Sequence, residues 1–419
     1  MPKITRIIAR EILDSRAVPT VEVSVLTDSG VFGTASVPSG ASTGKAEDVE
    51  LRDNDPARFN GKGVLKAVGN VNTVLGPALL GHDVSDQEGI DQLMLNLDGT
   101  PNESRLGSNA ILAVSIASLK AAASAANVPL FSYINTRYHP HTPPKIPGPV
   151  FNLINGGKHG AGNLDFQEFH VIPSTKMSYH DALRAGTETW TNLKTELIRR
   201  NAVHSVGDEG GFAPNLFTNA DALEILALVI KNSSYRLGQE LFLGLDVAAD
   251  EFFVSNKYPI KDSPRPLSRE ELIALYVDLV KTYGLLSLED PLAQEDWEGW
   301  QQLVAALPDT TMIVGDDLVS TNAKRLQKAI DQKSCTAVIV KPNQTGTITE
   351  TIELMKVAEA NHINTIVSHR SGETNDTFIA DFAVGMSSSY AKFGAPDRGE
   401  RVAKYNRLLE IEQYLAQES

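Results

Sequence analysis

Five short apolar runs, each closed by a residue that can do chemistry, constrain this chain's fold more than any other feature. LFLGL ends at Asp246, LLSL at Glu289, MIVG at Asp316, AVIV at Lys341 and TIVS at His369. The closing residues are 43, 27, 25 and 28 positions apart, with helix-like amphipathic stretches in the gaps. A strand, its return helix and the next strand take about 30 residues, so the spacing reads as repeated β/α units. The sequence itself does not repeat; only the architecture does.

Several such units make a parallel sheet. Closed into a barrel, the sheet gathers the residues just past its strand ends at one mouth, where such barrels build their active sites. An open, doubly wound sheet sets them along its carboxyl edge instead. Periodicity alone leaves both open. The barrel is preferred because no GxGxxG or P-loop pattern opens this region.

The first 135 or so residues have a different texture. PTVEVSVLTDSGVFGTASV alternates apolar and polar positions around a DSG turn, a hairpin signal. From about Asn109, AILAVSIASLKAAASAA is Ala-rich and long enough for a well-buried helix. NTRYHPHTPPKIPGP, dense in proline, is the best linker candidate. The expected class is α/β: an N-terminal α+β capping domain over 1–135, a linker over 136–147 and a β/α barrel over 148–419.

Composition narrows the partners. Net charge is 38 − 52 = −14, and no long basic tract is present. Such a chain is a poor fit for nucleic acid or an anionic membrane, so any anionic substrate must be met by a local group of cations. Cys335 is the only cysteine, which excludes an intramolecular disulfide and fits a reducing compartment. MPKITRIIAREILDSR carries no signal-peptide pattern, and no uninterrupted apolar run has spanning length. A cytoplasmic location is expected.

Taken singly, each strand-end residue has a plain reading. A lone lysine there is usually a surface residue with its stem on apolar neighbours, and a lone carboxylate caps a helix or pairs with an arginine. Together, three carboxylates, a lysine and a histidine converge on one mouth. Three acids held close repel one another unless a cation sits between them, and hard oxygen donors without cysteine suit a magnesium-like ion.

Further motifs surround this set. SVGDEGGFAP places Glu209 in a glycine-flanked loop that could also be an ordinary turn, and NLDFQEFHV places Gln167 and Glu168 on or beside a strand. SVPSGASTGK has the composition of a phosphate loop without the P-loop spacing, and reads equally as a mobile lid. In SHRSGET, Arg370 and Ser371 follow His369 as donors ready for an anion.

AREILDSR, SGASTG, FN.INGG, QEF, GDEGGFAP, GLD.AA.EF, LEDP, GDDL..TN, VKPNQ.GT, SHRSGET and KFGAP.R.ER.AKYN.LL together resemble the enolase family over essentially the whole chain, in the family's order. The resemblance implies a TIM-like barrel of the order ββαα(βα)6, two magnesium ions per active site, and the glycolytic and gluconeogenic conversion of 2-phospho-D-glycerate to phosphoenolpyruvate. It implies Asp246, Glu289 and Asp316 as ligands of the first ion, and Ser42 as the lid serine that helps bind the second with the substrate. Lys341 then matches the base at C2, and Glu209, supported by Glu168, the acid for the leaving hydroxyl. His159 matches the lid-side histidine and His369 the one beside the base. Gln167, Arg370, Ser371 and Lys392 match substrate contacts, with His159 and Glu168 among them. A homodimer or an octameric ring of dimers is also implied.

This chemistry sets expectations for the protonation states. A base must be neutral to act, so the Lys341 pKa is expected to be lowered by metals, Lys392 and a low-dielectric wall. An acid must hold its proton, so the Glu209 pKa is expected to be raised. Four departures from the family's usual pattern bear on shape. Ala17 and Val18 stand where Gly-Asn is usual, so that turn is expected to differ. LGSNA replaces LGANA, Asp250 replaces a serine, and Phe393 stands beside Lys392 where it could reshape the carboxylate end of the pocket. A dehydratase acting on a related phosphonate or phosphorylated hydroxy acid and a catalytically silent relative kept for binding or structure are the rival readings.

Overall fold

The computed structural model describes residues 2–41, 44–160, 162 and 164–418, with the backbone alone at 418. Three antiparallel strands open the chain: β1 (Ile4–Leu13), β2 (Pro19–Thr27) and β3 (Phe32–Ser36). The hairpin expected around the DSG turn is β2–β3, with Glu22 opposite Ser36 and Leu26 opposite Phe32. The Ala-rich segment forms the helix Ser108–Ala126. Its small side chains let the sheet come close: a Cβ on Gly33 would collide with the backbone of Ala117 and Ala121. This helix is long and apolar enough to cross a membrane, yet 78% of its apolar window is buried in the fold. It is a core helix here, although no uninterrupted apolar run marks it.

The helix Leu130–Tyr138 runs three residues into the expected linker. It stops at His139, whose backbone is non-helical ahead of Pro140, as a residue before proline favours. Residues 139–147 carry neither helix nor strand.

Eight strands then close a barrel: β4 (Gly148–Asn155), β5 (Glu168–Pro173), β6 (Leu241–Asp246), β7 (Ser287–Glu289), β8 (Met312–Gly315), β9 (Ala337–Val340), β10 (Asn364–Ser368) and β11 (Tyr390–Lys392). β4–β5 and β5–β6 are antiparallel and every other neighbouring pair is parallel. Two helices, Tyr179–Arg199 and Asn219–Lys231, separate β5 from β6, which gives the order ββαα before the βα units begin. The fold is therefore a small α+β domain on an enolase-type barrel. Four of the five apolar runs are strand from end to end and LLSL is strand from Ser287, and each chemical residue closes its strand or follows it directly.

Candidate active site

The reversed strand decides what reaches the mouth. Because β5 runs against its neighbours, it begins where they end, and Glu168, its first residue, lies between Asn155 and Asp246. Asp246 and Glu289 end adjacent strands in register. Lys392 closes β11, and its ammonium donates to both Glu289 oxygens at 2.8 Å and to Asp246 Oδ2 and Glu168 Oε2 at 3.2 Å each. Lys341 Nζ bonds Asp316 Oδ2, while Gln344 Nε2 donates to Asp316 Oδ1 at 2.8 Å. Every one of these charged groups is buried except Lys341, which is partly exposed.

The pairing sets the protonation. Burial, the largest single influence, would lower the Lys341 pKa, but the acids around it, Asp316 foremost and Glu289 behind it, together raise it above the ordinary lysine value. The expected lowering is thus reversed in this arrangement, because the nearest acid touches the amine directly. Lys392 is likewise held well above its usual range: burial opposes, and Glu168, Glu289 and Asp246 prevail. Glu289 goes the other way, raised well above the carboxylate range by burial and by Asp246 beside it.

A second group links histidines to acids. His159 Nδ1 lies 3.1 Å from Glu168 Oε1 and 3.5 Å from Glu209 Oε1. His369 Nε2 is 3.3 Å from Glu209 Oε2, which also accepts from Asn152 Nδ2 at 3.0 Å. Arg401 Nη1 donates to His369 Nδ1 at 2.7 Å. A guanidinium can only donate, so the neutral His369 ring carries its proton on Nε2, facing Glu209. Burial and Glu168 push the Glu209 pKa up, but His159 and His369 overcome them and hold it at about 2. The expected raised value is therefore not found; two imidazoles stand where other carboxylates were expected to dominate. Glu168 is also held well below its usual range, against burial, by Lys392, His159 and His170. His159 is raised despite burial by Glu209 and Glu168, whereas burial keeps His369 low.

The anion donors face the N-terminal domain. Arg370 Nη1 pairs with Glu47 Oε2 at 3.0 Å and donates to Asn343 Oδ1 at 2.9 Å. Ser371 Oγ accepts the Ala41 N–H at 2.8 Å. One narrow cavity, about 20 Å³ in volume, is lined by Gln167, Glu168, His159, Asp246, Lys341, His369, Arg370, Ser371 and Lys392, with Ala41 over it. Glu209, Glu289 and Asp316 are outside this lining and pair with residues in it, His159, Lys392 and Lys341 respectively. Ser42 lies outside the described residues.

The protein family described as "Enolase, N-terminal domain" matches residues 4–134, and "Enolase, C-terminal TIM barrel domain" matches residues 144–419. A protein named enolase from Rubrobacter xylanophilus is 48% identical over 417 residues, covering 100% of this chain and 96% of that relative. The chain belongs to the enolase family. It is a lyase of that family, and a metal cofactor goes with membership.

The residues present fit a cation. Four buried carboxylates (Glu168, Asp246, Glu289 and Asp316) share two lysines, Glu209 lies between His159 and His369, and Arg370 is taken by Glu47. The donors are oxygens, the buried Gln167 Oε1 has no partner, and the raised Glu289 pKa marks charge that lysine does not fully offset. The expected trio is not preassembled, however. Among the described residues, ligand atoms lie within 4.8 Å of one another for His159–Glu168–Glu209 and for Asp290–Asp316–Asp317, not for Asp246–Glu289–Asp316. Lys341 holds Asp316 while Lys392 holds the other two.

Three departures from the enolase pattern resolve. Phe393 is fully buried and packs on Tyr405, ring centroids 5.8 Å apart, in the layer behind the barrel; it does not line the cavity. Its neighbour Lys392 points inward, so Phe393 takes the opposite face, as alternation along a strand requires. Ala17 enters the left-handed region after all, at φ 57°, so the turn keeps a shape suited to glycine. Asp14 fixes it, its Oδ1 accepting from Arg16 N at 2.8 Å and Val18 N at 2.9 Å. Asp250 is engaged by Gln294.

Sequence reasoning assigned no role to Arg401, His170, Asn152 or Glu47, all of which hold site residues in place. His170 Nε2 lies 2.9 Å from Glu168 Oε2, two residues along the same strand and so on the same face. That period of two was available as a signal. The distant pairings of Arg401 and Glu47 had none.

Proposed function

We propose that the chain catalyses the reversible, magnesium-dependent dehydration of 2-phospho-D-glycerate to phosphoenolpyruvate, the enolase step of glycolysis and gluconeogenesis. The observation that carries the reading is the single cavity shared by Lys341, Lys392, the His159–Glu168 pair and the Arg370–Ser371 anion donors. Asp246, Glu289 and Asp316 would hold one magnesium ion and Ser42 would help hold a second, and the bound ions would supply positive charge where negative charge develops on the substrate carboxylate.

Lys341 removes the C2 proton once Asp316 releases it. Of what then acts on the amine, burial and the Arg370 and Lys392 charges favour the neutral form a base needs, and Glu289 opposes them. Glu209 acts on the leaving hydroxyl. His159 Nδ1, between Glu168 and Glu209, keeps a proton within reach of both carboxylates, so the acid role belongs to this cluster with Glu209 as its donor. Lys392 and Gln167 receive the substrate carboxylate. Arg370 and Ser371 receive the phosphate when Glu47 and Ala41 give them up.

Ultraviolet detection of enol formation from 2-phospho-D-glycerate, with and without magnesium, tests the reading beside Lys341→Ala. Magnesium-dependent turnover that falls by about 10²–10⁴-fold in the variant supports it. Folded wild-type protein without turnover would redirect the search to a related phosphorylated hydroxy acid. We also propose a homodimer or a ring of dimers, because Ile8 and Leu13 on β1 and Phe32 on β3 are left 39%, 55% and 63% exposed. Sedimentation that finds only monomer would exclude it.

A further inference from the structure

A second acidic cluster lies where the segment after the lid loop meets the loop after β9. Glu103 is 3% exposed, and neither carboxylate oxygen has a hydrogen-bond partner. Its carboxylate sits against Gly346 on the side where a Cβ would stand, so any side chain at 346 would collide with it. Asp48 accepts the Gly346 N–H, and its own N–H donates to Gln344 O at 3.0 Å. Glu350 is four residues further on, in the first turn of the helix Ile348–Ala360, with one oxygen bonded to Thr347 Oγ1 at 2.6 Å.

Among the described residues, no lysine, arginine or histidine stands among the main influences on Glu103, Asp48 or Glu350. The charges acting most strongly on Glu103 are Asp48, Glu350, Asp98 and Asp91, all acidic. Asp91 and Asp98 have partners of their own, Thr349 and Gln87 for the first, Thr100 and Leu106 N–H for the second. Arg105 turns its Nε to Asp98 O at 2.7 Å. A buried carboxylate with neither donor nor counter-ion is among the costliest arrangements a fold can keep. Burial and the surrounding acids push Glu103 up to about 9 and Asp48 up to about 7.

We propose that Glu103, Asp48 and Glu350 form a binding site for one hard divalent cation, apart from the catalytic centre, that ties the segment after the lid to the loop after β9. All donors are carboxylate oxygens, which selects magnesium- or calcium-like ions. The oxygens are less tightly gathered than those of the two mouth clusters, so one or two carboxylates bind directly and water completes the shell, a common arrangement for magnesium. Asp48 directly follows Glu47, the partner of Arg370, so an ion here fixes the residue that meets the anion donors.

Equilibrium dialysis of the full-length chain against Mn²⁺ without substrate, near neutral pH, counts bound ions. The wild type is expected to bind one more ion per chain than Glu103→Gln or Asp48→Asn, and Mg²⁺ to raise its thermal midpoint more than theirs. Should Glu103→Gln fail to fold, Asp48→Asn at a partly exposed position carries the comparison. Equal ion counts in wild type and the folded variants overturn the proposal. A carbonyl stretch of a protonated carboxyl, present in wild type with Mg²⁺ and lost in Glu103→Gln, overturns it too, by showing that a proton occupies the place of the ion.

Discussion

At the barrel mouth Asp246, Glu289 and Glu168 share the Lys392 ammonium, and Asp316 holds Lys341; beside Gly346, Glu103 has no donor at all. Both regions bury several acids. The mouth neutralises most of its charge with lysines that the sequence supplies at strand ends, and so can stay folded while its metal comes and goes. The junction has nothing of the kind and depends on something from solution. A lysine that substitutes for a metal must also be displaced by it, which suits a centre that works in cycles. An acid cluster without a lysine suits an ion that stays.

The largest test removes the compensation at the mouth. Lys392→Met leaves Glu168, Asp246 and Glu289 buried without their shared ammonium, a loss on the order of 3–5 kcal/mol for a broken buried pair. Denaturant unfolding in chelator should show that loss, and added Mg²⁺ should restore part of it. Equal stability of variant and wild type in chelator would mean that the three acids do not need Lys392.

The junction should respond to pH in the opposite sense to Glu209. Glu103, at about 9 in the fold against an ordinary glutamate value of 4.5, keeps a proton that the unfolded chain releases. Its stabilising share is complete below about pH 4.5 and is lost as pH rises toward about 9, at up to about 1.4 kcal/mol per pH unit. Asp48 adds to the same trend up to about 7. Glu209, held at about 2, contributes above about 4.5 and loses its contribution as pH falls toward about 2. In metal-free solution, wild-type stability should therefore decline from weakly acidic to weakly basic pH, and Glu103→Gln should flatten the decline. Parallel pH curves for the two proteins would show that Glu103 is not the group responsible.

The difference between the regions also explains what could be read in advance. Asp246, Glu289, Asp316, Lys341 and His369 recur at strand spacing, so periodicity places them together, and motif resemblance adds Glu168, Glu209 and Lys392. The junction cluster leaves no such trace: Asp48, Glu103 and Glu350 are scattered along the chain and meet only because the segment around Asp48 and the loop after β9 pack on one another. The protonation of Lys341 and Glu209 escapes the sequence for a related reason. Its sign depends on which neighbour is in direct contact, Asp316 for one and two imidazoles for the other, and contact is a matter of side-chain direction. Phe393 shows the same limit, since adjacency to Lys392 in sequence put it on the opposite face.

The smallest test is a control that is steric instead of electrostatic. Ala17 sits at φ 57°, in a turn whose backbone Asp14 already fixes, and left-handed backbone costs a residue with a Cβ roughly 1–2 kcal/mol. Ala17→Gly removes that strain but loosens the unfolded chain, which returns about 0.4–1 kcal/mol of it. The net gain should be about 0.5–1 kcal/mol in denaturant unfolding. Because neither alanine nor glycine brings a titrating side chain, the gain should be constant across the pH range in which Glu103 loses its proton. A gain that varied with pH would mean that Asp14 and the turn belong to the electrostatics of the junction, and the contrast drawn between compensated and uncompensated acids would have to include it.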